Sequence, residues 1–171
     1  METWDAIMAR RNVRAFADRP IPEADLERVL EAGWAAPSAM NRQHRDFVVC
    51  TERAQLEALA KVWQHAGHVA TSAATVAIVA PVPAEREAAE VDQFDIGQAV
   101  MAMAIAAADL GIGSGHASVG DQDRARAILG VPGDHYCAYL LALGYPSDRP
   151  LAPLRHLNRR TFDQVVHRGH W

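Results

Sequence analysis

The chain has 171 residues, a formal net charge of -4 at pH 7 and a composition that is 50% hydrophobic and 22% charged, the balance of a folded globular protein and not of a disordered one. That length accommodates a single domain over residues 1–171, with a sizeable core and little room for a second. Mild acidity without a basic face or tail excludes nucleic-acid binding, and the longest near-apolar run, Ile96 to Ala108, is 13 residues with Gln98 inside it, short of the roughly 20 that a bilayer requires.

The opening METWDAIMARR has no uninterrupted apolar stretch and no small-residue cleavage site, so no secretory leader is expected. Trp4, Ile7 and Met8 share one helical face over Thr3 to Arg11, with Arg10 and Arg11 at the C-terminal end, where cations are favoured. Pro22 falls where a second helix begins, and Leu26, Val29, Leu30 and Trp34 recur at helical spacing until Pro37. The loop PSAMNRQHR follows. DFVVCT then reads as a short buried strand, and Thr51 as the N-cap of a helix carrying Leu56, Leu59, Val62 and Trp63 and ending at Gly67.

ATVAIVA, Ala74 to Ala80, is a second strand. The helix in DQFDIGQAVMAMAIAAADLG is apolar almost all round after Asp95 and has to be enclosed on nearly every side. One small chain supplies too little enclosure, which predicts burial in a dimer interface. Glycine-rich GIGSGHASVG reads as a loop, followed by a short helix from Asp121 to Leu129, a third strand in YCAYLLALGY, and a proline-rich tail predicted to wrap a partner subunit. No internal repeat or linker divides the chain, and the element order places helices on both sides of a small sheet. Cys50 and Cys137 each lie in an apolar run that reads as a buried strand; they offer no disulfide framework and no zinc site, and a reducing cytoplasm is the expected location.

Arg10, Arg11 and Arg14 set three guanidinium groups around Asn12, a pattern in which charged forks and backbone amides can converge on a phosphate. A solvated, positively charged helix end has the same composition, and charge alone leaves both readings open. GIGSGH is not a dinucleotide loop, because a helix precedes it where a strand belongs and the third glycine is missing. Its glycines either admit a flat ligand against the backbone or simply cap the preceding helix. Ile112 stands where the first glycine of a nucleophile elbow belongs before Ser114. His65 with His68, and His167 with His170, share an H-x-x-H spacing without an acidic residue at motif spacing, so they read as surface histidines and no metal site is expected. No carboxylate pair stands out for acid–base work.

Four segments, in order, resemble one family. RRNVRAF is similar to the R-R-S-x-R-x-F/Y signature of flavin-dependent nitroreductase-family proteins, and APSAMNRQHRDFVV to their A-P-S-x-x-N-x-Q-P-W-x-F-V-V segment. FDIGQAVMAMAIAAADLGIGS resembles their central helix and the turn after it, and LALGYP with NRRTFDQVVHRGHW resembles their last core strand and tail. The resemblance implies an α+β fold: a three-layer α-β-α sandwich with a small, mostly antiparallel sheet, in an intertwined homodimer whose tails wrap the partner.

It further implies FMN at the dimer interface, with Arg10, Arg11, Asn12 and Arg14 gripping the phosphate, ribityl chain and pyrimidine edge. Pro37, Ser38, Ala39 and Asn41 would come from the other subunit to line the ring, and Arg159 and Arg160 would complete the phosphate site. Gly113, Ser114 and Gly115 would offer a backbone N–H near flavin N5 and O4. The implied activity is ping-pong: NAD(P)H gives hydride to flavin N5 and leaves, and a nitroaromatic or quinone-type acceptor takes the electrons. The flavin carries the chemistry, so no side chain is expected as nucleophile or general base. Arginines stay protonated and would stabilise both the phosphate and the negative charge of the reduced ring.

The chain departs from the family pattern at Asn12, where serine is usual, and at His44-Arg45, where P-W is usual. His44-Arg45 reads either as a cationic contact for an acidic substrate or as a solvent-exposed pair, and Arg42, Arg45 and His44 are candidates to meet a 2′-phosphate of NADPH. Many members of the family place a lysine near the flavin pyrimidine; Lys61, the only lysine, reads as part of a surface helix, and the sequence assigns it no such role. About fourteen residues between Ala80 and Asp95 leave no room for a lid, so an open pocket is expected. The absent lid and altered loop also admit an alternative, a flavin-binding store or accessory subunit without efficient NAD(P)H turnover.

Overall fold

In the computed structural model, which describes residues 1–171, α1 (Thr3–Ala9) and α2 (Glu23–Trp34) precede β1 (Asp46–Cys50), α3 (Arg53–Leu59), β2 (Ala74–Pro81) and the long α4 (Arg86–Asp109). β3 (Gly113–Ser118), α5 (Gln122–Leu129) and β4 (His135–Gly144) follow before the tail. The strands form one antiparallel sheet in the order β1-β2-β4-β3. Side chains alternate along a strand, so β2 sends Val76, Ile78 and Ala80 into a core with α2 and α4, and Ala77 into the opposite core with α3 and α5. With both faces covered, β2 is buried from Ala74 to Ala80. This is the three-layer sandwich that the sequence predicts.

Four local expectations require correction. Gly113 to Ser118 is a strand and not a loop; glycine is depleted in strands, so nothing in the local sequence favours it, and its pairing with β4 decides the matter. α1 stops at Ala9 because the chain turns to bring Asn12 beside Ser114, with Val13 N–H donating to the Ser114 carbonyl at 2.9 Å. α3 starts after Glu52, not Thr51, and ends at Leu59. Beyond it the Val62 carbonyl turns away to accept from Gly120 N–H at 3.0 Å and Asp121 N–H at 2.9 Å, which ties α3 to the start of α5. α4 begins at Arg86 rather than near Asp92, so its first turns occupy the segment between β2 and Asp95.

The short α5 follows its sequence signals closely. Asp121 caps it by accepting Arg124 N–H at 3.0 Å, and Gly130 closes it at φ 68. Cys50 and Cys137 are free and buried; burial pushes their thiols up to about 11 and about 12 respectively, leaving them protonated and unreactive at neutral pH. No helix is long and apolar enough to cross a membrane. The tail runs beside α1, where Leu154 N–H donates to the Met8 carbonyl at 3.1 Å. From Arg155 onward every residue is exposed, including Phe162, Val165 and Trp171.

Candidate functional site

α4 and the β3–β4 edge of the sheet enclose a cavity of about 280 Å³. Arg10, Asn12 and Ser114 come together on its wall, because the chain leaving α1 runs alongside β3. Gly113 and Gly115 permit that approach. A Cβ on Gly113 would lie 2.6 Å from the Val13 side chain, and one on Gly115 would lie 2.2 Å from the Val13 carbonyl oxygen. The missing side chains therefore admit Val13 rather than a ligand, and of this trio Ser114 alone lines the cavity. His116, Tyr139 and Gln93 add polar groups, and Gln93 is held by donating Nε2–H to the Tyr136 hydroxyl at 2.9 Å. Ile96, Val100, Met101 and Leu141 form the apolar wall.

The remaining arginines separate by what they pair with. No carboxylate of the chain pairs with Arg10 or Arg14. Arg11 turns away from the cavity: its Nη2 donates to Asp148 Oδ1 at 2.6 Å and to the Arg149 carbonyl at 3.0 Å. Within one chain, then, Arg11 is engaged by Asp148 and Arg149 and does not line the cavity. The Arg159 guanidinium donates only to the neighbouring Asn158 carbonyl, and Arg160 is exposed; neither meets the Arg10 to Arg14 segment within one chain. Lys61 is exposed beside Arg124, away from the cavity.

His68, expected on the surface, is buried, and its Nε2–H donates to the Gly115 carbonyl at 3.3 Å. Burial lowers its pKa, the Gly115 bond opposes this, and the nearby Arg14 charge lowers it further, so the ring is a neutral prop behind β3. No group of three or more His, Cys, Asp or Glu side chains placed to hold a metal ion is present.

The PSAMNRQHR loop lies on the other side of α4. Met40, Asn41 and Gln43 have φ of 50, 56 and 55, a left-handed backbone that costs side-chain-bearing residues on the order of 1 kcal/mol each. Several bonds hold it there. Asp95 accepts Ala39 N–H at 2.9 Å, Asp92 accepts Arg42 Nη2–H at 3.2 Å and pairs with His44 Nδ1 at 3.3 Å, and Ser38 Oγ accepts Gln43 N–H at 3.0 Å. Arg45 donates to the Pro37 carbonyl at 3.3 Å and to the Ala36 carbonyl. Within the chain, His44, from an exposed position, and Arg45 therefore brace the loop, and Arg42 is equally occupied. Asp92 and Asp95 went unread because an acidic residue early in a helix ordinarily reads as solvated; the available signal was two carboxylates one turn apart on a face that must be buried.

Pro37 lines a second, open hollow with Phe94, Gly97 and Met101. Ser38, Ala39 and Asn41 line neither hollow, so the structure does not join the loop set with the Arg10 set inside one chain. Sequence reasoning also missed Gln93, His116 and Tyr139, which carry no motif and meet only through the sheet register.

The family model described as Nitroreductase family matches residues 7–145. The chain belongs to the nitroreductase family. A protein of Archaeoglobus fulgidus, provisionally named NADH dehydrogenase/NAD(P)H nitroreductase, is 27% identical over 99% of both chains. An FMN-dependent nitroreductase of Clostridium difficile superposes with a TM-score of 0.84 at 19% identity, covering 97% of this chain and 99% of its own. NADPH:FMN oxidoreductase of Vibrio harveyi, in complex with NAD+, gives 0.84 at 22% identity over 97% of this chain and 76% of its own. The fold of this nitroreductase-family chain is thus shared over nearly its whole length.

Within this nitroreductase-family chain, Arg11 acts as a clamp on the root of the tail. Arg11→Ala is expected to raise the rate of limited proteolysis by subtilisin around residues 148–155 roughly tenfold, read by mass spectrometry of the fragments; an unchanged rate refutes the clamp. The Arg11 hydrogen bond holds the Asp148 carboxyl below the usual carboxylate range. A lowered folded-state value means the pair stabilises fully above about 3.9, the free aspartate value, and its contribution disappears as pH falls through the lowered one.

Proposed function

We propose that the protein is an FMN-dependent NAD(P)H oxidoreductase that works as a homodimer. The observation that carries this reading is the convergence of the unpaired Arg10 with Asn12 and Ser114 on a cavity whose opposite wall is apolar. A free cation and short polar donors suit a phosphate and its polyol chain, and an apolar wall suits a flat ring. Arg10, Arg14, Arg159 and Arg160 are arginines without carboxylate partners in a chain of net charge -4, the donor set a dianion calls for. When bound, FMN supplies two-electron transfer from NAD(P)H to a nitroaromatic or quinone-type acceptor in two half-reactions.

The protein's part is to bind and orient. Arg10 and Asn12 would hold the phosphate and ribityl chain, and Arg14 the pyrimidine edge, where its fixed positive charge favours the reduced, more negative ring. Ser114, on the strand edge, would lie along the same cofactor, while Arg159 and Arg160 would reach the phosphate site from a tail wrapped around the partner. Without a lid, the open side admits donor and acceptor in turn, and no side chain need move a proton in a committed step.

A second copy is the natural cover for α4. Phe94 is 71% exposed and Met101 47% exposed on the one face of that helix left bare, and the tail exposes Phe162 and Trp171 with no core of its own. A dimer would bury both and bring the Pro37 to Asn41 loop to the partner's cavity. Free buried thiols fit a reducing, cytoplasmic setting.

The test is the absorption spectrum of the purified protein, then NADH and NADPH oxidation with menadione or a nitrofuran. Flavin bands, with FMN released at about one per chain, and turnover with either donor support the oxidoreductase. A yellow protein that turns over neither donor is instead a flavin store or accessory subunit. A colourless protein that takes up no added FMN overturns both.

A further inference from the structure

We infer that Asp95, seconded by Asp92, positions the Pro37 to Arg45 loop for the partner subunit's flavin site, so that each α4 sets its partner's cofactor affinity and not its own. The inference rests on the FMN reading above and adds a positioning residue to it. Asp95 and Asp92 are 6% and 4% exposed, yet neither serves the cavity of its own chain. Both carboxylates face the loop: Asp95 takes the Ala39 amide at 2.9 Å and Asp92 the Arg42 and His44 side chains at 3.2 and 3.3 Å.

A loop with left-handed backbone at Met40, Asn41 and Gln43 does not keep that shape unaided. Buried carboxylates are costly unless hydrogen-bonded, so the helix and the loop each satisfy the other's need. The loop so fixed projects Met40, 87% exposed, and lines with Pro37 the open hollow beside Phe94. Its own Arg10 cavity lies across Gly97 and Met101, residues that border both hollows. A preorganised loop with nothing to bind in its own chain, beside the bare face of α4, is placed to serve a second copy.

Mixed dimers decide the matter. One Arg10→Ala chain and one Asp95→Ala chain, carrying different affinity tags, are co-expressed and the mixed species is isolated and titrated with FMN. If the brace acts across the interface, one site holds both defects and the other holds none. The expected result is one FMN per dimer at the wild-type Kd and a second site weakened more than about tenfold. Two weakened sites, with none at the wild-type Kd, overturn the inference, because they place Asp95 at its own chain's cofactor.

The loop itself is read without flavin. In the apo Asp95→Ala homodimer, amides 39–43 are expected to exchange hydrogen about tenfold faster than in wild type, and Asp95→Asn, whose carbonyl can still accept the Ala39 N–H, is expected to recover most of the protection and most of the FMN affinity. It also serves where the alanine variant fails to fold. Wild type that binds FMN, with an Asp95→Ala homodimer unchanged in both exchange and Kd, overturns this inference alone. Wild type without affinity for FMN overturns the functional reading and this inference together.

Discussion

Replacing Arg10 with alanine is expected to weaken FMN binding by roughly 10- to 150-fold, the loss of about 1.5–3 kcal/mol that a hydrogen bond to a charged group supplies. The prediction follows from what Arg10 lacks. It caps α1, it borders the cavity, and no carboxylate of the chain neutralises it. Its neighbour Arg11 is committed to Asp148, so Arg11→Ala is expected to leave the FMN Kd within about threefold of wild type, well under one charged contact. Arg10→Lys keeps the charge and loses the planar fork, and is expected between the two. Fluorescence titration of apoprotein with FMN measures all three. Equal losses at Arg10 and Arg11 would return the arginine cluster to a diffuse, charged helix end.

Gly115→Ala is expected to lower stability by about 3 kcal/mol, the upper end for overpacking a tight contact, and the midpoint of thermal unfolding by roughly 6–12 °C for a domain of this size. A Cβ there meets the Val13 carbonyl oxygen at 2.2 Å and the His68 ring at 3.2 Å. A flexible side chain could swing aside; a backbone carbonyl cannot, and its own strand-like contact, Val13 N–H to Ser114, is what seats Asn12 at the cavity. Stability and cofactor affinity should therefore fall together. Gly67→Ala is the control, since nothing lies within 4 Å of a Cβ at that glycine. Thermal scans of the apoproteins read the first effect and FMN titration the second; a Gly115→Ala protein as stable as wild type would mean that β3 and the Val13 segment are free to part.

How much of the protein was legible in advance depended on whether the deciding interactions were local. Helical spacing in α2, the Asp121 cap and Gly130 stop of α5, and the apolar runs of β1, β2 and β4 are signals carried by neighbouring residues. They sufficed for the layers of the sandwich. Ordered motifs sufficed for the family and for naming Arg10, Asn12 and Ser114, which the fold does bring to one wall. Arginines at positions 10, 11 and 14, by contrast, are alike as sequence, and only their long-range partners tell the clamp at Arg11 from the free cation at Arg10.

The same limit explains the rest. GSGHAS has no strand propensity, and β3 exists because β4 and Val13 flank it on either side. Asp92 and Asp95 look solvated along the chain and become braces only when the 37–45 loop folds over α4. His44-Arg45 looks unpaired along the chain and is tied to Asp92 and the Pro37 carbonyl for the same reason, His44 from an exposed position. By itself, then, the sequence determined most of the elements and the family, because periodicity and motif chemistry act over a few residues. Only the tertiary structure decided which charges are free and which are paired, because an ion pair between positions 11 and 148, or 42 and 92, depends on a closeness in space that no spacing along the chain encodes.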